Sequence, residues 1–301
     1  MQKHTIAACQ ISCGPQSKVE DNARKIRQYM QKATANGARL VLFPELSLSG
    51  YSVDTDDIAV RLRQTTDSLI EHIRSDSKRL NIATVVGIYE QSPQNKVYNT
   101  ALAIGPDGSE SRYAKIHIPP NEGHFASSQR SPVVADFGFV RLGLSICFDN
   151  WFPESARMAY LCGAEILHMP FYWPAQWEVC DDLKYKRTPV NNDLILKARR
   201  ERMMKVFPAR ALDNGLYVVM LDQVCQSDDI AKHLPGKSMV FDPYGELIAE
   251  TKGWEEEVLY FEFLPERVKQ QRCSKFFPGR SLRPQVYRQV WTKINSRYSR
   301  T

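Results

Sequence analysis

At 301 residues the chain exceeds the roughly 100–200 residues of one ordinary domain without demanding two. Its 43% hydrophobic and 25% charged residues exclude a disordered or fibrous chain and supply a large core. The net charge of +6 points to an acidic partner only until it is located: residues 265–301 carry ten Lys/Arg against one acid, Glu266, whereas residues 1–264 carry 30 Lys/Arg against 33 Asp/Glu.

Apolar, β-branched runs read as buried strands at Ile6–Ile11, Leu40–Phe43, Ala83–Ile88, Ala101–Ile104, Val140–Ile146, Ile166–Met169, Tyr217–Leu221, Ser238–Phe241 and Val258–Phe263. Between them, Val19, Ala23, Ile26, Met30 and Ala33 step at helical spacing, as do Ile70, Ile73, Ser77 and Leu80. A third helix is expected after Pro153, with Ala156, Ala159 and Tyr160 inward. Gly105-Pro106-Asp107-Gly108 and Asp242-Pro243-Tyr244-Gly245 read as hairpin turns. Interleaved strands and helices predict an α/β fold, and no linker divides the chain, so one domain with two sheets is expected over residues 1–301.

From Phe171 to Phe207 the pattern changes. An aromatic cluster, Phe171-Tyr172-Trp173-Pro174 with Trp177, precedes a basic passage holding Lys184, Lys186, Arg187, Lys197, Arg199, Arg200, Arg202 and Lys205. Such a run is ordinarily a solvated helix face. The basic tail 265–301 has no aromatic repeat or Gly-rich recognition pattern, so no nucleic-acid partner is expected. No apolar run approaches the roughly 20 residues of a membrane span, and Ile6–Ile11 follows the start without an apolar leader. The expected location is the cytoplasm, with no membrane contact.

The seven cysteines form no CxxC, and the six histidines form no HExxH. Neither a disulfide scaffold nor a metal site is expected, and the thiols read mostly as small buried hydrophobes. GxGxxG and P-loop patterns are missing from the sequence, so no organic cofactor is expected.

Three reactive side chains follow strand-like runs. Glu45 comes after Leu40–Pro44, Lys115 sits in Tyr113-Ala114-Lys115-Ile116-His117, and Cys147 ends a strand just before a helix. Ligands of open α/β sheets bind outside the carboxyl ends of strands. A thiol on a strand-to-helix turn also lies near backbone N–H groups that can hold an oxyanion. Taken singly, each residue has an ordinary reading: Glu45 as a turn residue, Lys115 as solvated, Cys147 as an inert core thiol.

Their order and flanks resemble the nitrilase superfamily of carbon–nitrogen hydrolases. The resemblance runs from Ala7-Ala8-Cys9-Gln10-Ile11 through Phe43-Pro44-Glu45, Ser49-Gly50-Tyr51 and Lys115-Ile116-His117. It is densest at Cys147-Phe148-Asp149-Asn150-Trp151-Phe152-Pro153-Glu154, then continues through Ala209–Asn214, Gly236-Lys237-Ser238 and Arg283-Pro284 with Tyr287. It implies a four-layer α-β-β-α sandwich with two mixed sheets. It also implies a Glu45–Lys115–Cys147 triad: Cys147 attacks, Glu45 moves the proton, and Lys115 with the Phe148 N–H holds the oxyanion. Glu122, ahead of Gly123-His124-Phe125, resembles the family's second glutamate. Asp149 and Trp151 are expected to shape the turn and the nearby pocket, although Asp149 can equally cap the next helix. His117 and His124 read as structural partners.

Nitrile-cleaving members usually have Trp-Glu after the cysteine, where this chain has Phe148-Asp149. The resemblance therefore implies a linear amide or N-carbamoyl compound as the small-molecule substrate. Nitrile hydrolysis and acyl transfer are the alternatives, and a catalytically silent binding or scaffold relative is a remote one. Relatives are shorter between Phe171 and Ala209, which implies an insertion where Tyr172, Trp173 and Trp177 wall the pocket and a cation from Lys184–Arg187 meets a substrate anion. The tail 265–301 resembles an extension that packs across subunits, so a homodimer or higher homo-oligomer is expected.

Overall fold

The computed structural model describes residues 3–13, 18–128, 131–179, 191–229 and 232–298. Along the chain run β1 (His4–Gln10), α1 (Val19–Ala35), β2 (Ala38–Leu42), α2 (Thr55–Gln64), α3 (Asp67–Leu80), β3 (Ala83–Gln91), β4 (Val97–Ile104) and β5 (Glu110–Ala114). Then come β6 (Val133–Asp136), β7 (Arg141–Leu144), a one-turn 3-10 helix (Cys147–Trp151), α4 (Pro153–Leu161), β8 (Ile166–Pro170), α5 (Asn192–Leu212) and β9 (Tyr217–Leu221). The remainder is β10 (Val224–Cys225), β11 (Leu234–Pro235), β12 (Met239–Phe241), β13 (Leu247–Glu250), β14 (Glu257–Phe263), α6 (Pro265–Cys273) and α7 (Pro284–Tyr298).

Among the described residues, two six-stranded sheets have the orders β14-β1-β2-β3-β4-β5 and β13-β12-β9-β8-β7-β6. Each mixes parallel central pairs with antiparallel outer ones, and read from β14 and from β6 their pairings are the same: antiparallel, parallel, parallel, antiparallel, antiparallel. The chain therefore uses one topology twice. The hairpin turns predicted at residues 105–108 and 242–245 join the corresponding strand pairs β4–β5 and β12–β13.

The packing follows from the period-two exposure of strand side chains. One face of each sheet meets the other through Ile6, Leu40, Val85 and Ala103 against Leu142, Ile166, Val219 and Val240. The outer face of the first sheet takes the Val19–Ala23–Ile26–Met30 stripe of α1 and Ile70 and Ile73 of α3. The outer face of the second takes Ala156 and Ala159 of α4 and Met203, Phe207 and Ala211 of α5. The result is the expected four-layer α-β-β-α sandwich. All nine predicted strands are present. Five strands among the described residues were missed: β10 and β11, a pair of two-residue strands apart from both sheets, and β5, β6 and β13 at sheet edges, where a half-wetted strand such as Glu110–Ala114 lacks a continuous apolar run.

The thiols depart from expectation. Of the six described cysteines only Cys9 and Cys13 are buried, Cys147 and Cys225 are half-buried, and Cys162 and Cys273 are exposed, while Cys180 lies outside the described residues. Short polar helix ends and loops carry the exposed ones, so core volume does not select them. Among the described residues, no helix is long and apolar enough to cross a membrane.

Candidate active site

Glu45 lies three residues past β2, on a turn laid directly against β3. Leu48 N–H donates to Gly87 O (2.9 Å), and Gly87 N–H donates to Ser47 Oγ (3.0 Å). A Cβ on Gly87 would fall 2.1 Å from Leu46 N, so only glycine permits this approach. Glu45 is buried, and three donors fix its carboxylate: Asn99 Nδ2 (2.8 Å) and Lys115 Nζ (2.8 Å) on Oε1, and Tyr172 N–H (2.7 Å) on Oε2. Gln223 Nε2 donates to its main-chain oxygen (2.5 Å). One step back, His168 Nε2–H donates to Phe43 O (3.0 Å), and burial pushes this histidine down to about 3, which keeps it neutral.

Lys115 extends β5 by one residue, its N–H donating to Asn99 O (2.9 Å). Its buried ammonium meets Glu45 Oε1 at 2.8 Å and both oxygens of Glu122 at 2.9 Å. Burial works against that charge, but Glu45 and Glu122 outweigh it and hold the lysine well above its ordinary pKa. Glu122 is itself raised by burial against the pull of Lys115, and Tyr51 O–H donates to it (3.1 Å).

Cys147 lies three residues past β7 and opens the 3-10 turn with φ +47°. A non-glycine residue in this region costs about 1–3 kcal/mol and persists only where its surroundings hold it. Asp149 does the holding. It accepts Ile146 N–H (3.0 Å) and Tyr113 O–H (2.7 Å) on one oxygen and His117 N–H (2.8 Å) and Nδ1–H (2.8 Å) on the other. The segment bearing Lys115 is thus tied to the turn bearing Cys147. Burial pushes the thiol well above its ordinary range, and the negative charge of Glu45 and Glu122 adds to this, with Lys115 pulling the other way. A neutral thiol beside a carboxylate is set up for proton transfer on attack.

A cavity of about 750 Å³ opens over Cys147 and Glu122. Tyr51, Phe148, Trp151, Phe171, Tyr172 and Trp173 line it, and Trp177, Asp54, Asp57, Arg202 and Lys232 are among the other lining residues. The Tyr51 and Tyr172 rings stack at 3.9 Å, and Trp151 meets Trp173 edge-on at 5.2 Å. The structure therefore brings together Glu45, Lys115, Cys147 and Glu122, with Phe148, Trp151, Tyr172 and Trp173 around the cavity. Asp149 does not line it; this residue lies buried beneath the turn. His117 stacks on Phe152 at 3.8 Å, and His124 donates to Val53 O (3.0 Å), so both serve structure. Lys184, Lys186 and Arg187 lie outside the described residues. Among the described residues, no cluster of three or more His, Cys, Asp or Glu could hold a metal ion.

One expectation is corrected. Arg199 belongs to no solvated helix face: it is wholly buried between Glu178 and Asp222. A charge run marks a solvated face only when every member faces outward, and α5 turns this one inward. Asn99, Gln223 and the Arg199 cluster were not anticipated. For Asn99 the signal was an amide in the otherwise apolar strand β4; for the others no local pattern existed, because their partners lie far away in sequence.

The family model for carbon-nitrogen hydrolases matches residues 5–272. The chain belongs to the carbon-nitrogen hydrolase family. This hydrolase is 28% identical over 260 residues to a nitrilase of Pyrococcus abyssi, covering 84% of this chain and 87% of the relative. It is 28% identical over 288 residues to a citrullinase of Francisella tularensis, covering 91% and 93%. Its fold matches an amidase from Nesterenkonia sp. with TM-score 0.73 at 21% identity, over 95% of this chain and 96% of that one. It is a carbon–nitrogen hydrolase of the nitrilase superfamily, and the four-layer sandwich is the fold it shares with these structures.

Proposed function

We propose that this hydrolase cleaves a linear amide or N-carbamoyl compound through a thioester on Cys147, as one catalytic unit over residues 1–301. The observation that carries the reading is the buried Glu45–Lys115–Glu122 ion-pair cluster together with Cys147, held at positive φ, at the floor of an aromatic cavity. Cys147 Sγ attacks the carbonyl carbon while Glu45 takes the thiol proton. The oxyanion forms toward Lys115 Nζ and the Phe148 N–H. Lys115 already spends its three N–H groups on three carboxylate oxygens, so one of its two contacts with Glu122 yields to the oxyanion, which leaves both ion pairs intact. The C–N bond breaks, Glu45 returns the proton to the departing nitrogen, and water then attacks the thioester with Glu45 again as base.

Phe148-Asp149 after the nucleophile supports an amide or carbamoyl substrate, and a relative named for citrulline, a ureido compound, agrees with it. A relative named nitrilase keeps nitrile hydrolysis as the competing outcome, and acyl transfer to another acceptor would use the same thioester. Incubation with a mixed amide, carbamoyl and nitrile library, with mass detection on Cys147, separates them: an acyl adduct and ammonia release in wild type, and neither in Cys147→Ala, support the reading. Equal ammonia release by the two proteins would sink it.

The same reading makes the enzyme cytoplasmic and homo-oligomeric. The tail divides in two. Helix α6 docks on its own chain, with Val268 buried, Arg267 on Asp242 and Arg272 on Ala164 O (2.5 Å). Helix α7 exposes Val286, Tyr287, Val290 and Trp291, an apolar stripe on a basic helix that suits the acidic body of a second copy. Truncation after Arg283 is expected to reduce oligomer size on gel filtration; an unchanged size would refute this assignment.

A further inference from the structure

The cavity wall from Phe171 to Pro174 has no regular secondary structure, so its rings need an anchor from elsewhere. Arg199, on the inward face of α5, provides one. All five of its N–H groups find acceptors. Nε donates to Glu178 Oε1 (3.2 Å); one terminal nitrogen donates to Asp222 Oδ2 (2.7 Å) and Gly236 O (3.2 Å); the other donates to Trp173 O (2.6 Å) and Glu178 Oε2 (3.0 Å). Asp222 Oδ1 in turn accepts the Trp173 N–H (3.2 Å). The Trp173 residue is therefore held at both its N–H and its carbonyl, and its ring lies 4.8 Å from the guanidinium. Glu178, just beyond Trp177, is gripped by the same fork.

These bonds reach the reacting groups by two short routes. Tyr172, the residue before Trp173, donates its N–H to Glu45 Oε2 (2.7 Å). Gln223 N–H donates to Asp222 (2.8 Å), while its side chain donates to Glu45 O (2.5 Å). Burying a guanidinium costs several kcal/mol unless its geometry is filled, and only a planar five-donor fork fills this one; a lysine cannot span the four partners.

We propose that Arg199 is a positioning residue for specificity: its fork fixes the wall 171–178, and so the flat, apolar group that the site accepts beside the scissile bond. The inference rests on the Cys147 hydrolase reading for the identity of the reacting centre, and it names the recognised class as amides bearing an aromatic or branched apolar substituent next to the carbonyl or on the nitrogen.

The test compares wild type, Arg199→Lys, Glu178→Gln and the control Arg200→Lys, whose side chain pairs with Glu250 (2.9 Å) at the surface of the same helix. Cys147 is alkylated with iodoacetamide and with N-benzyl iodoacetamide; the Sγ–C bond forms, iodide leaves, the thiol proton goes to solvent, and modification is mapped by mass at Cys147. Hydrolysis of acetamide and 3-phenylpropanamide is followed in parallel. Wild type is expected to prefer the benzyl reagent, and Arg199→Lys to lose about tenfold of that preference, carried by KM in the amide series. The plain iodoacetamide rate should stay within about threefold, the size of an ordinary context effect. Glu178→Gln should fall between, and Arg200→Lys should match wild type. If Arg199→Lys does not fold, Glu178→Gln, which leaves the Trp173 and Asp222 bonds in place, decides alone. No benzyl preference in wild type, an unchanged preference in the variants, or equal losses for small and large reagents would each overturn the proposal. Retained reagent selectivity without amide hydrolysis would instead fail the hydrolase reading and leave the wall assignment standing.

Discussion

Two buried clusters in this molecule have the same composition, one cation between two carboxyl groups, and opposite proposed uses. Lys115 sits between Glu45 and Glu122 at the cavity floor; Arg199 sits between Glu178 and Asp222 behind the cavity wall. The lysine is a rotatable point charge, and its doubled contact with Glu122 can yield to an incoming oxyanion. The arginine is a rigid fork with every donor occupied, so it can hold backbone in place but has nothing to offer a substrate. The residue type, more than the charge count, separates chemistry from support.

Substitutions at the two cations put the contrast at risk. Lys115→Met should lower kcat/KM by about 10³-fold or more, since it removes an oxyanion donor and leaves Glu45 and Glu122 facing each other without a cation. Circular dichroism should remain that of wild type; a merely proportional loss of folded protein would break the comparison. Arg199→Met should instead act first on stability, by about 3–5 kcal/mol in urea unfolding, because two buried carboxyl groups lose their partner.

A smaller effect lies in pH dependence. Burial pushes Asp222 up to about 8 against the pull of Arg199. Between the ordinary 3.8 and about 8 the folded chain keeps a proton that the unfolded chain has released, so this group's contribution to stability falls as pH rises through that window. Melting curves of wild type relative to Asp222→Asn should converge or cross between pH 5 and pH 8 (the range in which about one proton is at stake); parallel curves would mean that Asp222 is ionised throughout. The smallest effect is expected at the surface pair of Arg200 and Glu250, where Arg200→Ala should cost no more than about 0.5 kcal/mol.

The doubled topology offers a second contrast. Cys13 and Cys147 each stand three residues past corresponding strands, β1 and β7. Burial raises both thiols. Only Cys147 turns at positive φ onto a cavity with Glu45 beside it, whereas Cys13 is sealed near Ile11 O. Local sequence makes the two look alike; the partners that distinguish them arrive from β2 and β5.

The order of Glu45, Lys115 and Cys147 behind strand-like runs was legible because each occupies the carboxyl end of a strand, and strand ends leave an imprint in local patterning. The buried stripes of α1, α3 and α4 were legible for the same reason. The half-wetted edge strands were not, nor was the inward turn of Arg199 amid outward-facing cations. By itself, then, the sequence of 301 residues determined the layered α/β architecture, the family and the placing of Glu45, Lys115 and Cys147 at strand ends, since these rest on local periodicity and ordered motifs. Tertiary structure alone decided which carboxyl groups share a cation, that Asn99 and Tyr172 bond the Glu45 carboxylate, and that Arg199 bonds Trp173 and Glu178. Those contacts join residues up to 127 positions apart, as Tyr172 and Glu45 are, and only the closed sandwich brings them within hydrogen-bond reach.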